Sequence, residues 1–372
     1  MQIDSIDLYH VALPLVEPQT TAVGEIGAVE TILVRLASGD LAGWGEVSPG
    51  SAPAAGGDFA DGVFACLKRW LAPALIGKSI ESGEALSERL APFQGNRPAK
   101  AALDTAWWDL EARRKGKPLH ALLDPRRDAV EVGPTFDQMG SIEELLAAIR
   151  QAVDEGFSRV KLMFRPGWDV QMVDFVVKDF PTLQVGIDCE GALNLGHWEM
   201  LCRLDDFNLT MIEQPLPAVD YVGHAQLQDA LRTPVCLDEG IATLEQIEIA
   251  LDLKSCKFVN LEPGRVGGVT PAVAMHDACH DACVACYVGA VPRSGIGTRI
   301  ALSLAAKANC TYPADYFKPE ELLARDLCSP LLPARSEDDG VARIPLWSEP
   351  GLGVEPALEV IEKCCVEQTH LG

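Results

Sequence analysis

The feature that most constrains this 372-residue chain is a spacing. From about residue 130 onward, short apolar runs end on a polar residue at a nearly constant interval. The step is 27 residues from Lys161 to Asp188, then 25 to Glu213, 25 to Asp238 and 24 to Glu262. These runs read as buried strands over 130–135, 160–163, 183–188, 211–213, 235–238, 258–262 and 283–289, because short apolar stretches bounded by turn residues fit a parallel sheet covered on both faces. Helical segments fill the gaps; that at 141–155 opens on Ser141 and Glu144, the spacing of a capping box. Strands and helices alternating at constant length stack as βα units, so the fold class is α/β, a (β/α) barrel. In such a barrel the C-terminal strand ends meet around one mouth, which makes Lys161, Asp188, Glu213, Asp238 and Glu262 neighbours.

The flanks follow a different pattern. Residues 1–125 mix strand and helix signals and read as an α+β domain. A hairpin is expected from 31–36 through Ser38-Gly39-Asp40 into 41–47, and a helix at 99–114 carries an apolar stripe of Ala102, Leu103, Ala106, Trp107 and Leu110. The barrel is expected over 126–315. Beyond it, 316–372 is Pro-rich and irregular and is expected to pack back on the first domain. Thirty-one basic against 54 acidic residues leave a net charge of −23, a field that repels phosphate backbones and anionic lipid. Nucleic acid and membrane are therefore not expected partners, and the lack of a signal-like start or a long apolar span points to the cytoplasm. The twelve cysteines read as buried thiols. His276, Cys279, His280, Cys283 and Cys286 sit on a helix and the strand after it, pointing in several directions, which does not suit zinc.

Asp188, Glu213 and Asp238 close three successive strands. Unscreened by a cation, each pair would repel by about 3 kcal/mol at 5 Å and an effective dielectric of 20. An all-oxygen set of this kind suits a hard divalent ion, and Mg²⁺ leaves coordination positions for water or substrate oxygens.

The stretches Ala101-Ala102-Leu103-Asp104 through Trp108-Asp109-Leu110-Glu111, Pro166-Gly167-Trp168-Asp169, Ile212-Glu213-Gln214-Pro215, Leu237-Asp238-Glu239, Gly264-Arg265-Val266-Gly267-Gly268 and Ser294-Gly295-Ile296-Gly297 resemble the enolase superfamily. The resemblance lies in the muconate-lactonizing subgroup, nearest its N-acylamino acid racemase and o-succinylbenzoate synthase branch, and it covers nearly the whole chain. It implies a capping α+β domain over a modified barrel, Mg²⁺ held by Asp188, Glu213 and Asp238, removal of a proton beside a substrate carboxylate, and a homo-oligomer. It also implies that the polar segment 15–28 folds over the mouth.

The same resemblance exposes departures. The branch uses two lysines as its acid/base pair, and their positions here hold Met163 and Glu262. Glu190 stands where the branch has Asn, and Arg293 where it has Glu. Two readings follow. In one, Arg293 answers Glu262 as a reversed ion pair. In the other, Glu262 is a general base, Lys161 an acid or enolate stabiliser, and Arg293 a clamp for the substrate carboxylate, with Glu190 a further substrate-binding candidate. The expected activity is a Mg²⁺-dependent lyase or isomerase acting on a small carboxylate, with dehydration easier than racemization because it needs proton removal on one face only. The rival expectation is a metal-binding pseudoenzyme that keeps the fold alone.

Overall fold

A computed structural model describes residues 1–21, 24–53, 57–165 and 168–372. Its first layer is a four-stranded antiparallel sheet, ordered β15-β1-β2-β3, of β1 (Ser5–Thr21), β2 (Gly24–Ser38), β3 (Leu41–Val47) and β15 (Cys365–Leu371). The hairpin of β2 and β3 pairs Ser38 with Leu41 and Ile32 with Val47. Segment 15–28, expected to fold over the mouth, is mostly ribbon: β1 and β2 pair Gln19 with Ile26 after an irregularity between Pro14 and Gln19. Its tip, with residues 22–23, lies outside the described residues.

The helix Arg97–Arg114 lies flat on this sheet. Pro98 suits its first turn, where an N–H would lack a partner. Close approach is possible because β3 presents Gly43 and Gly45; a Cβ there would come within 2.3 Å of Leu110 N and Ala102 O. Ala102, Leu103, Ala106, Trp107 and Leu110 then pack with Ile6, Leu8, Ile32 and Val34 as the core of the cap.

The barrel is built from parallel staves: β4 (Ala129–Gly133) continued after Pro134 by β5 (Thr135–Phe136), then β6 (Arg159–Met163), β7 (Gln184–Asp188), β8 (Ile212–Glu213), β9 (Val235–Leu237), β10 (Phe258–Asn260) and β11 (Ala285–Tyr287). All seven expected runs hold strands, although the last shortens because Cys283 turns with φ 57°. An eighth stave closes the ring. β12 (Ala314–Asp315) pairs with β4 on one side, Asp315 N donates to Val288 O at 3.1 Å on the other, and the backbones of Cys310 and Cys286, both free thiols, form an isolated parallel strand contact. It escapes a sequence reading because it is short and interrupted by Pro313, which cannot donate to a ladder. β13 (Ala334–Arg335) and β14 (Ala342–Pro345) extend the sheet from β4.

Helices cover the outside, among them Ile142–Asp154, whose start is capped by Ser141 Oγ accepting from Glu144 N at 3.2 Å. The barrel interior is plugged by Met211, Cys236, Tyr287 and Tyr312. Arg159, fully buried, stacks over the Tyr312 ring at 5.3 Å and donates to Asp315 at 2.6 Å. Among the described residues no helix is long and apolar enough to cross a membrane.

Two side chains fasten the cap to the barrel. Asp104 accepts from Thr270 N at 3.0 Å and Thr270 Oγ1 at 2.5 Å. Glu46 accepts from Ser294 N at 2.9 Å, Gly297 N at 2.7 Å and the Ser294 hydroxyl, and so caps the helix Gly295–Ala305 from another domain.

Candidate active site

Parallel register sets the geometry of the mouth. Met163 lies opposite Asp188, and Asp188 opposite Glu213, so two carboxylates close adjacent strands at one level. Side chains alternate along a strand, so Lys161 points inward with Met163, one layer deeper. There its ammonium sits among three carboxylates: Asp315 Oδ2 at 2.8 Å, Asp188 Oδ2 at 3.1 Å and Glu213 Oε2 at 3.1 Å. Burial alone would push this lysine down, but Asp315, Glu213 and Asp188 together hold it well above its ordinary value. Asp315 is held below the usual carboxylate range despite burial, because Lys161 and Arg159 both face it.

Glu213 is completely buried. Its Oε1 accepts from Asn260 Nδ2 at 2.9 Å and from the Tyr287 hydroxyl. Burial, then the charge of Asp188, pushes it up to about 7. Asp238 leans the other way, with Arg265 Nη2 at 2.5 Å from its Oδ1. Burial raises Asp238 well above the carboxylate range, against the pull of Arg265. Arg265 is fixed by the carbonyls of Ile241 at 3.0 Å and Asn260 at 2.9 Å.

Glu262 caps the short helix Pro263–Val266, accepting from Arg265 N at 2.7 Å on Oε2, while Arg293 Nη1 stands 3.2 Å from Oε1. Arg293 also donates to the carbonyls of Gly289 at 3.1 Å and Val291 at 3.2 Å. Glu190 lies at the rim with a positive φ of 46°, its carboxylate on Arg165, which also reaches Asp137 at 3.2 Å. His197 closes a capping box with Asn194 and stays exposed.

The trio expected to hold a divalent ion is thus shared between two internal cations, Asp188 and Glu213 with Lys161 and Asp238 with Arg265. Among the described residues no group of three or more His, Cys, Asp and Glu side chains is so arranged that it could hold a metal ion as it stands. The donor set nevertheless fits such an ion in two respects. Glu239 Oε2 is buried without a hydrogen bond among the described residues, and Asp188, Glu213, Asp238 and Glu239 are all pushed up by burial, with neighbouring carboxylates adding to the push. That is negative charge short of a counter-ion.

Asp315, Tyr287 and Arg265 are the members of this network that sequence reasoning passed over. An acid closing an apolar run, the signal that marked the other strands, is present at Asp315 but weakened by Pro313. Above the network, a cleft of about 920 Å³ separates barrel from cap, lined by Lys161, Met163, Asp188, Asp238, Glu262 and Arg293 below and by Gln19, Ser48, Asp58 and Arg97 above. A volume of that order accommodates a drug-sized ligand.

The fold and mouth together define an enzyme class. Residues 5–124 match the N-terminal domain family of mandelate racemase and muconate lactonizing enzyme, and 144–360 the enolase C-terminal domain-like family. The chain belongs to the enolase superfamily. An o-succinylbenzoate synthase of Geobacillus kaustophilus is 34% identical, the match spanning 98% of this chain and 96% of the relative. An N-succinylamino acid racemase of an Amycolatopsis species is 33% identical, with both chains covered in full. A crystal structure of an enolase-superfamily member from Listeria innocua superposes with a TM-score of 0.93 at 30% identity, over 100% of this chain and 99% of the other. The protein is accordingly an enolase-superfamily enzyme of the lyase or isomerase kind, from a family whose members generally use Mg²⁺ and whose named relatives act on small carboxylates.

Proposed function

We propose that this enzyme removes a proton from the carbon beside a substrate carboxylate in a Mg²⁺-dependent elimination like that of an o-succinylbenzoate synthase, with Lys161 as the group that handles the proton. The observation that carries this reading is Lys161 on the cleft floor, within 3.1 Å of Asp188 and Glu213 and braced by Asp315; to accept a proton its ammonium must first give one up, which a divalent ion taking Asp188 and Glu213 as ligands would favour. Asp188, Glu213 and Asp238 would hold the metal. When bound, the ion supplies positive charge to the carboxylate oxygens on which the charge of proton loss accumulates. Met163, beside Lys161 on the same strand, has no proton to give or take, and across the barrel Glu262 is paired with Arg293, so under this reading only the Lys161 side of the substrate meets a proton-handling group. That asymmetry favours elimination over racemization, which needs proton-handling groups on both faces.

A second reading rests on the 3.2 Å pair of Arg293 and Glu262. A substrate carboxylate captured by Arg293 would draw it away from Glu262 Oε1, leaving that oxygen free as a base. Glu190 remains a candidate for substrate contact at the rim.

The two readings part in one experiment. Purified protein with Mg²⁺ in D₂O is offered a panel of N-acylamino acids and succinyl-bearing carboxylates, and α-proton exchange is followed by NMR. Under the first reading Lys161→Met loses exchange at least 100-fold while Glu262→Gln stays within a few fold; under the second, Glu262→Gln is the variant that fails. Calorimetric titration with Mg²⁺ tests the trio separately, since Asp188→Asn should weaken binding at least tenfold. Absence of exchange across the whole panel, with Mg²⁺ bound, would overturn the proposal.

A further inference from the structure

Asp188, Glu213 and Asp238 end three separate strands, and the residue after the middle one is bonded to the loops of all three. Gln214 is fully buried and has a φ of 35°, a left-handed conformation that a residue with a side chain takes only at a cost. Its carbonyl accepts from Gly191 N at 2.7 Å, in the loop after Asp188. Its Oε1 accepts from Asp238 N at 2.9 Å and from Gly240 N at 3.1 Å, in the loop after β9. Its Nε2 donates to Leu216 O at 2.9 Å, within its own loop, and also faces His224 Nε2 at 3.4 Å. His224 is buried on the helix Tyr221–Ala230, and burial lowers its pKa, toward the neutral ring. Its Nδ1 stands 2.7 Å from Asp220 O, a carbonyl that can only accept. Nδ1 therefore carries the hydrogen, and Nε2 is left to accept from Gln214 and from Leu216 N at 3.3 Å. Both protons of the Gln214 amide and two lone pairs of its oxygen are engaged, which leaves it one orientation.

The amide fixes where the acids start. Asp238 N is one of the groups it holds, Glu213 directly precedes it, and Gly191 follows Asp188 in the same loop. Carboxylates that lean on Lys161 and Arg265 can be redirected by rotation about their own side-chain bonds, but the separation of their backbones is set while Gln214 is in place. A fixed separation acts unequally on different ions. Mg²⁺ demands near-ideal octahedral geometry with oxygens at about 2.0–2.1 Å, whereas Ca²⁺ accepts them at about 2.3–2.6 Å in flexible arrangements. We infer that Gln214 is a positioning residue that sets the spacing of the three acids and so makes the site discriminate Mg²⁺ from Ca²⁺. This rests on the reading of Asp188, Glu213 and Asp238 as metal ligands, and adds to it the residue that decides which ion they fit.

Calorimetric titration of the protein with Mg²⁺ and, separately, with Ca²⁺, in the absence of substrate, tests the assignment. Gln214→Met keeps the length of the side chain and removes its hydrogen bonds; it should weaken Mg²⁺ at least tenfold and Ca²⁺ no more than about threefold. His224→Leu leaves Oε1 its two backbone donors but frees Nε2, and should shift the ratio of the two affinities in the same direction by a smaller factor, about threefold. Gln228→Met is the control for stability alone. Gln228 is another buried glutamine, accepting from Val235 N at 2.7 Å at the far end of β9 from Asp238, so its loss should lower the melting temperature and leave the ratio at the wild-type value. If Gln214→Met changes both ions alike, or Gln228→Met moves the ratio as far as Gln214→Met does, the assignment is wrong while the metal reading stands. Should Gln214→Met not fold, His224→Leu decides, and an unchanged ratio there overturns the assignment. Wild-type protein that binds neither ion refutes the metal reading itself, and the assignment with it.

Discussion

Asp104 is a carboxyl group placed where ionisation is costly. It is fully buried between the cap helix and Thr270, and burial pushes it up to about 7, against the hydrogen bonds from the Thr270 hydroxyl and amide that oppose the shift. A folded-state value above the unfolded one means that the native protein holds the proton more tightly. The stability it contributes is therefore complete at acid pH and is lost as pH rises from about 4 through 7. Wild type should lose up to about 4 kcal/mol relative to Asp104→Asn between pH 4 and pH 8, as measured by urea unfolding of both proteins. Parallel loss in both would show that Asp104 titrates normally. The neighbouring Gly268 has φ 122°, and a Cβ there would lie 2.3 Å from Asp104 Oδ2. Gly268→Ala should accordingly cost about 2–4 kcal/mol in the same assay, through both backbone strain and displacement of the clamp.

At the scale of elements, the helix Gly295–Ala305 depends on a side chain almost 250 residues away in sequence. Glu46 satisfies the amides of Ser294 and Gly297 together with the Ser294 hydroxyl, and is itself steadied by Thr31 Oγ1 at 3.1 Å and Ser48 Oγ at 3.3 Å. Glu46→Ala leaves buried donors unpaired and should destabilise by about 2–4 kcal/mol in chemical unfolding, whereas Glu46→Gln, which keeps one accepting oxygen, should cost less than half of that. Ser294 is legible as a local cap, its hydroxyl accepting from Ile296 N at 3.0 Å, but the further dependence on Glu46 cannot be read from local pattern. What was legible was periodic: seven staves whose apolar runs repeat at 24 to 27 residues, and the acids that end them. The eighth stave was not, because two paired residues beyond a proline carry no period, and with it went Asp315, the residue nearest Lys161. Register shows why Asp188 and Glu213 meet. That Asp238 turns to Arg265 depends on a side chain brought in by the following loop, which spacing alone does not specify.

The whole molecule carries a charge of −23. Self-repulsion at that level lowers stability at low ionic strength, and mobile ions relieve it within a Debye length of about 8–10 Å. The melting temperature should rise by several degrees between 10 and 200 mM NaCl, read by calorimetry. A flat or falling curve would mean that the internal pairs already balance the field.

One strand pairing has a consequence for how the chain comes into being. β1 borders β15 over Ile6–Val11, where its register runs from Leu371 back to Cys365. Those partners are about 360 residues apart, so at ~5–20 residues per second the ribosome takes on the order of tens of seconds to deliver the second after the first. Throughout that interval the outer edge of β1 is an unfilled template for any passing strand. Residues 6–11 therefore need shelter until Cys365–Leu371 have emerged.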